Sequence, residues 1–462
     1  MSNKRPNVIV FFTDQQRWDT SGLHGNPEGL MPNFDSMATR GTHIVNAVTC
    51  QPVCAPARSV LQTGLYPTTN GVFMNTIVLD PKFKRLGGYF QDDGYKTGYI
   101  GKWHLSGWNG TSTGHPGTNP DNHGPVPIEH KEGYEYWLAS NVLEFTSESY
   151  KTTLYDRENN PVDLPGYRVD ALTDAAIRFI DERKEDPFFL FVSYIEPHYQ
   201  NHVDAYGAPD GYRERYTGKW MPPDLQSLKG TAPQHLGGYY GMVKRLDESL
   251  GRLQDALKSL DLTEDTVILY TSDHGCHFKT RNSEYKRSPH ESSIRIPTAF
   301  TGPGFFGGHR IEEPVTTIDM VPTLLDAANI KIPSELEGHS VLPLLKGEKS
   351  NWPKEAFIQI SESQVGRAIR TNKWKYGVVA PGINGASNPA ADMYEETYLY
   401  DLESDPYELA NLVGFESHRG VADKLKARLL NRIKEVEHSV PEIKNAPVKP
   451  SGQHIVYDDN ID

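Results

Sequence analysis

Uninterrupted apolar segments at 7–13, 188–195 and 266–272 constrain the fold of this chain more than any other feature. Runs of this length without polar alternation are typical of strands buried on both faces, as in a parallel sheet. The segment 95–100 is a fourth, more mixed candidate. Apolar residues at helical spacing lie between these segments, for example over 236–257. The alternation predicts an α/β fold with a large, mostly parallel central sheet flanked by helices.

A smaller region follows the predicted sheet. The 462 residues of the chain suffice for more than one domain, and a charged, turn-prone stretch interrupts the pattern. Beyond it lie strand-like segments at 356–360 and 374–379 and a helical segment at 421–437. We therefore predict an N-terminal domain over residues 1–345 and a smaller C-terminal α+β subdomain over residues 346–462.

Composition excludes some classes of partner. The net charge of −13 at pH 7 argues against nucleic acid, and no run of about 18 apolar residues is present to span a membrane. The first residues lack the apolar core of a signal peptide. The chain as written is therefore expected in the cytoplasm, or in the periplasm or outside the cell if a leader has been removed. Its three cysteines, Cys50, Cys54 and Cys276, are too few for a disulfide scaffold.

Polar residues follow each of the four predicted strands. Open parallel sheets bind ligands beyond the carboxyl ends of their strands, so these residues are the first candidates for a site. In chain order they are Asp14 and Gln15, Lys102 and His104, Glu196 and His198, and Asp273 and His274. The four strand ends thus bring three carboxylates, three histidines and a lysine toward one edge of the sheet.

The segment 54–58 reads Cys-Ala-Pro-Ala-Arg. It resembles the Cys-x-Pro-x-Arg motif of the sulfatase family, in which a maturation enzyme oxidises the cysteine to formylglycine. The segments 101–104 and 271–275 are similar to that family's lysine and histidine element and its second metal motif, and Lys286 looks like its substrate lysine. The resemblance covers nearly the whole chain in the family's order. It implies an alkaline-phosphatase-like fold, with a catalytic domain over 1–345, and hydrolysis of a sulfate ester.

The resemblance also implies a bound divalent metal with ligands from Asp14, Gln15, Cys54, Asp273 and His274. A hard cation with oxygen ligands fits the need to neutralise a charged sulfate, and the family implies Ca²⁺ most often. The imidazole of His274 keeps Mg²⁺ and Mn²⁺ as alternatives. Many members carry two adjacent aspartates where this chain has Asp14 and Gln15. Gln15 either offers a neutral oxygen or leaves the metal with fewer ligands.

Hydrolysis of a sulfate ester needs a nucleophile and positive charge around the sulfate. The resemblance implies that formylglycine at position 54 supplies the nucleophile and that His104 is the base. His198 and Lys286 would stabilise or protonate the leaving oxygen. The catalytic residues implied are Cys54, Arg58, Lys102, His104, His198 and Lys286, with His290 as a substrate-binding residue.

Two other functions stay open from the sequence. The pair Asp273-His274 also occurs in phosphonate monoester hydrolases, which share the formylglycine. A phosphonate monoester or phosphodiester hydrolase on the same scaffold is therefore the alternative activity. A catalytically silent metal-binding or carbohydrate-binding protein, in which Cys54 is never oxidised, is the alternative from another class.

The region 105–165 is polar and rich in glycine, proline, asparagine and tyrosine, with little periodicity. We interpret it as a long surface insertion that shapes the binding site. Its aromatic and polar side chains suit a sugar, so a sulfated saccharide is the preferred substrate, with a small aryl sulfate or choline sulfate as alternatives. These side chains are Trp108, His115, His123, His130, Tyr134, Tyr136 and Trp137.

Overall fold

The computed structural model describes residues 5–107, 123–456 and 462, and the strands in these ranges form two sheets. The central sheet contains β1 (Asn7–Thr13), β2 (Thr42–Val48), β3 (Lys96–Lys102), β4 (Tyr136–Ser140), β5 (Ser147–Glu148), β6 (Lys151–Tyr155), β7 (Pro161–Leu164), β8 (Phe188–Ser193), β9 (Thr266–Ser272), β10 (Ala299–Thr301) and β11 (His309–Thr316). The smaller sheet contains β12 (Ala356–Ile360), β13 (Gly366–Arg370), β14 (Trp374–Val379), β15 (Met393–Asp401) and β16 (Glu442–Lys444).

The four strands predicted from the sequence lie at the centre of the large sheet. The strand order is β11-β2-β10-β9-β1-β8-β3-β4-β6-β5, and β7 pairs with β6. β1 is parallel to both β8 and β9, and β3 is parallel to both β8 and β4. Antiparallel pairs involve β10 and the short strands β5, β6 and β7. The prediction of a large, mostly parallel sheet is confirmed.

Helices formed by the described residues lie on both faces of the central sheet and on the second sheet. They are α1 (Pro32–Arg40), α2 (Cys54–Thr63), α3 (Pro67–Asn70), α4 (Leu86–Asp92), α5 (Leu143–Thr146), α6 (Arg168–Arg183), α7 (Tyr212–Tyr216), α8 (Pro223–Ser227), α9 (Ala232–Ser259), α10 (Glu291–Ile294), α11 (Met320–Ala327), α12 (Leu342–Leu345) and α13 (Arg419–Glu437). Within the described ranges, none of these helices combines the length and the apolar character needed to cross a membrane.

The continuous apolar run of β1 follows from its position between two cores. Ile9 and Phe11 pack into a cluster with residues of α6 and α9 on one face of the sheet. Val8, Val10 and Phe12 pack into a second cluster with residues of α4 and α11 on the other face. Because successive side chains of a strand point to opposite faces, a strand covered on both sides has no position for a polar residue.

The region 105–165 differs from the prediction. It contains β4, which extends the central sheet beside β3. Trp137 of β4 is 2% exposed and stacks on Tyr99, with ring centroids 5.1 Å apart. The interpretation as a surface insertion is wrong for β4, which is a buried strand of the central sheet. The sequence pattern does not show this strand because it is short and its apolar residues are aromatic side chains between polar turns. Trp108 and His115 lie outside the described residues.

The second sheet forms the smaller C-terminal region, as predicted. The helix α13 packs on it through Leu425, which shares a core cluster with Tyr376 of β14. Cys50 and Ile318, from the earlier part of the chain, belong to the same cluster. The two regions therefore share a packed interface, and the division between residues 345 and 346 stays a prediction.

Candidate active site

The carboxyl ends of the four central strands lie side by side and carry the predicted polar residues. Asp14 follows β1, His198 lies beyond β8, Lys102 ends β3, and Asp273 follows β9. The side chains of Asp14, Lys102 and Asp273 have no measurable exposure. These strands are parallel, so their carboxyl ends lie at the same edge of the sheet and the residues that follow them come close together.

Cys54 is the first residue of α2, and its thiol lies among these groups. The Sγ atom lies 2.7 Å from Lys286 Nζ, 3.3 Å from His274 Nε2 and 3.6 Å from Asp14 Oδ1. Burial and the Asp14 carboxylate raise the pKa of the thiol, but the ammonium groups of Lys286 and Lys102 outweigh them and lower it to about 7. A cysteine at a helix start, surrounded by cations, is a reactive type of cysteine.

The residues of this site fit a divalent cation. The ligand atoms of Asp14, Cys54, Asp273 and His274 all lie within 4.8 Å of one another. Among the described residues, Asp273 Oδ2 is buried without a hydrogen-bond partner. Burial and the neighbouring Asp14 carboxylate raise the pKa of Asp273 to about 7. A cation between the carboxylates of Asp14 and Asp273 would give Asp273 Oδ2 a partner and would offset the repulsion between the two negative charges.

The imidazole of His274 is oriented for such a role. Its Nδ1 lies 2.9 Å from the carbonyl oxygen of Gly275, which leaves Nε2 on the side of the cluster. Nε2 is 3.5 Å from Asp273 Oδ1. Burial lowers the pKa of His274 to about 4, so the ring is neutral at pH 7 and has a lone pair for a metal.

Two buried cations bracket Asp14. Its Oδ2 accepts hydrogen bonds from Arg58 Nη2 and from Lys102 Nζ, each at 2.9 Å. Arg58 is held further by Nη1, which donates to Ser193 Oγ at 2.7 Å and to the Lys102 carbonyl at 2.9 Å. Burial lowers the pKa of Lys102, but the carboxylates of Asp14 and Glu144 raise it above its usual value. Both cations therefore stay charged at neutral pH.

His104 is placed by an unusual backbone after β3. Gly101 has φ 107°, and a Cβ there would lie 2.0 Å from the Ser193 carbonyl oxygen, so only glycine allows this approach of β3 to β8. His104 itself has φ 60°, and its backbone N–H donates to the Asn141 carbonyl at 2.7 Å. Burial and the charge on Lys102 lower the pKa of His104 to about 3. The ring is neutral, and both its nitrogens lack hydrogen-bond partners among the described residues.

His198 and Lys286 form a pair on the other side of Cys54. His198 Nδ1 lies 2.6 Å from the Tyr199 carbonyl oxygen, and its Nε2 lies 3.4 Å from Lys286 Nζ. Burial lowers the pKa of His198. The structure thus brings Arg58, Lys102, His198 and Lys286 and the predicted metal ligands Asp14, Asp273 and His274 into one cluster with Cys54. The catalytic role of His104 stays a prediction.

His290 and Gln15 are held by other partners. The ring nitrogens of His290 contact Ser288 Oγ at 3.1 Å and the Tyr400 hydroxyl at 3.2 Å. The backbone N–H of Gln15 donates to Asp273 Oδ1 at 2.9 Å, and its side-chain Nε2 contacts Cys276 Sγ at 3.3 Å. The substrate-binding role of His290 and the ligand role of Gln15 stay predictions.

Glu144 is a charged residue of the site that the sequence pattern does not predict. Glu144 of α5 lies 3.1 Å from Lys102 Nζ through its Oε2. It belongs to the region 105–165, which was interpreted as a surface insertion. Glu144 lies just beyond the carboxyl end of β4, where ligand-binding residues of a parallel sheet are expected. The sequence pattern does not identify β4 as a strand, so it does not identify Glu144 as a candidate.

Fold and site together define a hydrolase with an alkaline-phosphatase-like fold. The model of the sulfatase family matches residues 6–330, and a second model, described as the C-terminal part of N-sulphoglucosamine sulphohydrolase, matches residues 284–435. The chain therefore belongs to the sulfatase family and is a sulfuric ester hydrolase.

Similar proteins agree with this family. An ulvan-active sulfatase of Formosa agariphila is 29% identical over 449 residues, which cover 94% of this chain and 82% of that protein. A solved structure in complex with its substrate D-glucosamine-2-N,6-O-disulfate shares the fold, with a TM-score of 0.75 and 22% identity over 95% of this chain and 99% of that one. A phosphonate monoester hydrolase of Agrobacterium radiobacter also shares the fold, with a TM-score of 0.69 and 22% identity over 93% of this chain and 96% of that one.

Proposed function

We propose that this protein hydrolyses the sulfate ester of a sulfated saccharide, with formylglycine formed from Cys54 and a bound divalent metal. The observation that carries the proposal is the position of Cys54. Its Sγ lies 2.7 Å from Lys286 Nζ and 3.3 Å from His274 Nε2, between a cation and the metal ligands. Membership of the sulfatase family supports both the oxidised cysteine and the metal.

Asp14, Asp273 and His274 would hold the metal together with the group at position 54, and Gln15 would add a neutral oxygen. Oxygen ligands suit Ca²⁺, and the imidazole keeps Mg²⁺ and Mn²⁺ as alternatives. When bound, the metal neutralises charge on the sulfate and lowers the pKa of a hydroxyl at position 54. Cys54 is 1% exposed, so a maturation enzyme would have to act on it before the fold closes.

The side chains around position 54 would divide the remaining work. Arg58, Lys102 and Lys286 supply fixed positive charge for the sulfate oxygens, at no cost of reorganisation during the reaction. His104 is neutral and accepts a proton from a hydroxyl at position 54. Lys286 donates toward the leaving oxygen. The neutral His198 ring donates through Nδ1 to the Tyr199 carbonyl, so its Nε2 has a lone pair that faces Lys286 Nζ at 3.4 Å and holds that ammonium group in place.

The relatives support a saccharide substrate more strongly than the aromatic residues of the region 105–165 do. Tyr134 and Trp137 are buried in the core beside β3 and do not reach a sugar. His123 stacks on Phe145 with ring centroids 4.5 Å apart, and Phe145 is exposed. The structure of the relative bound to a sulfated glucosamine favours a sulfated sugar as the first substrate to test.

Protein purified from its native host is expected to carry formylglycine at position 54. Cleavage by trypsin after Arg40 and Arg58 gives the peptide 41–58, whose mass should be about 18 Da below the value for cysteine, because the thiol has become an aldehyde. The peptide with Cys276 serves as the control and should keep its mass. An unmodified Cys54 would contradict the formylglycine.

Sulfate esters are expected to be better substrates than phosphonate esters with the same leaving group. We expect kcat/KM for 4-nitrophenyl sulfate to exceed that for 4-nitrophenyl phenylphosphonate by about 100-fold or more, since three fixed cations and a metal match a compact sulfate. The comparison is read from release of 4-nitrophenol. A preference for the phosphonate would reassign the activity to the alternative on the same scaffold.

A further inference from the structure

Glu144 places a carboxylate in a site that must accept an anion. Its side chain is 11% exposed, and its Oε2 lies 3.1 Å from Lys102 Nζ. Burial raises the pKa of Glu144, but the neighbouring ammonium and imidazole groups lower it well below the usual value. A negative charge so close to the proposed sulfate position opposes binding, so its presence calls for a compensating role.

Lys102 is the residue on which Glu144 acts. Its ammonium group has three N–H donors on a flexible stem of four carbons. Asp14 Oδ2 accepts one at 2.9 Å, and Glu144 Oε1 accepts a second at 3.4 Å, while Glu144 Oε2 makes an ion-pair contact with Nζ at 3.1 Å. Two carboxylates on two sides fix the direction of the third N–H. A lysine with Asp14 alone would keep rotational freedom around that single contact.

The segment that carries Glu144 is itself held in place. Gln200 Nε2 donates to the Glu144 carbonyl at 3.2 Å and to the Ser147 carbonyl at 3.0 Å. Arg168 Nη1 donates to Ser147 Oγ at 2.6 Å, and its Nε donates to Glu196 Oε1 at 2.8 Å. The carboxylate therefore sits on a fixed backbone, as a residue that orients another side chain requires.

We propose that Glu144 is a positioning residue that, with Asp14, holds the Lys102 ammonium so that its remaining N–H points at the sulfate oxygens. The proposal rests on the proposed function and deepens it. Glu144 does not touch the reacting atoms. It restricts the rotation of the Lys102 ammonium and so fixes the direction of its remaining N–H. The negative charge of Glu144 in the site is the cost of this restriction.

Glu144→Gln distinguishes this role from that of a mere charge. If Glu144 only repelled the substrate, its removal would lower KM and leave kcat unchanged. If it positions Lys102, kcat for 4-nitrophenyl sulfate should fall by about 10- to 100-fold, the range seen when a residue that orients a ligand is removed. Glu148→Gln, an exposed glutamate four residues further along the chain, is the matched control and should keep both constants.

A double-mutant cycle separates positioning from a general structural effect. In a Lys102→Ala background, Glu144→Gln should no longer lower kcat, because the group it orients is gone. An equal loss in both backgrounds, or a lowered KM with unchanged kcat, would overturn the proposal. If Glu144→Gln does not fold, Glu144→Asp replaces it, since the shorter side chain keeps the charge but not the reach to Lys102.

A crystal structure of Glu144→Gln tests the proposal without turnover. Lys102 Nζ is expected to leave its position between the two acidic side chains or to become disordered. An unchanged Lys102 would refute the positioning role. A wild-type protein that hydrolyses neither sulfate nor phosphonate esters would instead refute the proposed function, and the crystal structure would still decide the role of Glu144.

Discussion

Replacement of Cys54 by alanine is expected to abolish hydrolysis of sulfate esters while the fold is kept. Alanine favours the first turn of α2 as well as cysteine does, so the backbone has no reason to move. The side chain at position 54 carries the proposed nucleophile, and loss of a nucleophile costs on the order of 10⁴ in kcat or more. Turnover measured with 4-nitrophenyl sulfate, beside circular dichroism and the melting temperature, checks both halves of this expectation.

Cys50→Ala is the matched control for this variant. Cys50 is also buried, and its Sγ accepts a hydrogen bond from the Thr317 hydroxyl at 3.4 Å, in the core cluster shared with the second sheet. Cys50→Ala also removes one buried thiol, but Cys50 does not belong to the cluster of metal ligands. This variant should keep turnover with a modest loss of stability, about 1–2 kcal/mol for a small buried group. Near-normal activity in Cys54→Ala would disprove a nucleophile at position 54.

The central sheet was predictable because its strands are buried on both faces. β1 and β9 match the predicted segments residue for residue, and β3 and β8 differ only at their ends. Periodicity fails where a strand is short and aromatic. β4 has five residues, and its burial depends on stacking of Trp137 against Tyr99 of a strand 38 residues earlier in the parallel register. Such a partner is not visible in a local pattern.

The candidate site was predictable to the same extent as the sheet. Asp14, Lys102 and Asp273 follow strands that could be identified, and Cys54 lies in a motif with a family resemblance. Glu144 follows a strand that could not be identified, and a single glutamate in a polar stretch has no distinguishing pattern. Its role depends on a contact across 42 residues, which only the folded chain creates.

Asp273→Asn is expected to lower the affinity for the divalent metal by about 100-fold or more, because it removes a charged ligand from a hard cation. Asp273 is the better aspartate for this test. Its Oδ1 accepts backbone N–H groups of Gln15 at 2.9 Å and of His274 at 2.8 Å, and asparagine keeps that oxygen. Asp14 lies 2.9 Å from both Arg58 Nη2 and Lys102 Nζ, so its replacement would break two close buried ion pairs, whereas Asp273 Oδ2 has one longer contact, 3.7 Å from Arg58 Nη2.

The stability of the protein without metal tests the ligand role of Asp273 independently of the measured affinity. Without a cation, burial and the Asp14 carboxylate together raise the pKa of Asp273 to about 7, which means that the charged form of Asp273 is disfavoured there. Removal of one charge should therefore leave the melting temperature of the metal-free protein unchanged or raise it. The wild type should gain about 2.7 kcal/mol at a metal concentration 100 times its Kd, whereas Asp273→Asn, with an affinity about 100-fold weaker, should gain only about 0.4 kcal/mol at that concentration.

Metal content by mass spectrometry, calorimetric titration with Ca²⁺ and Mg²⁺, and melting curves with and without metal test this expectation together. Asp247→Asn is the control, since Asp247 is also buried and accepts the backbone N–H of Phe34 at 2.8 Å, but lies outside the cluster. It should lose stability and keep the metal. Full metal occupancy in Asp273→Asn would show that Asp273 is not a metal ligand. An equal loss of metal in both variants would show that the loss comes from destabilisation of the fold.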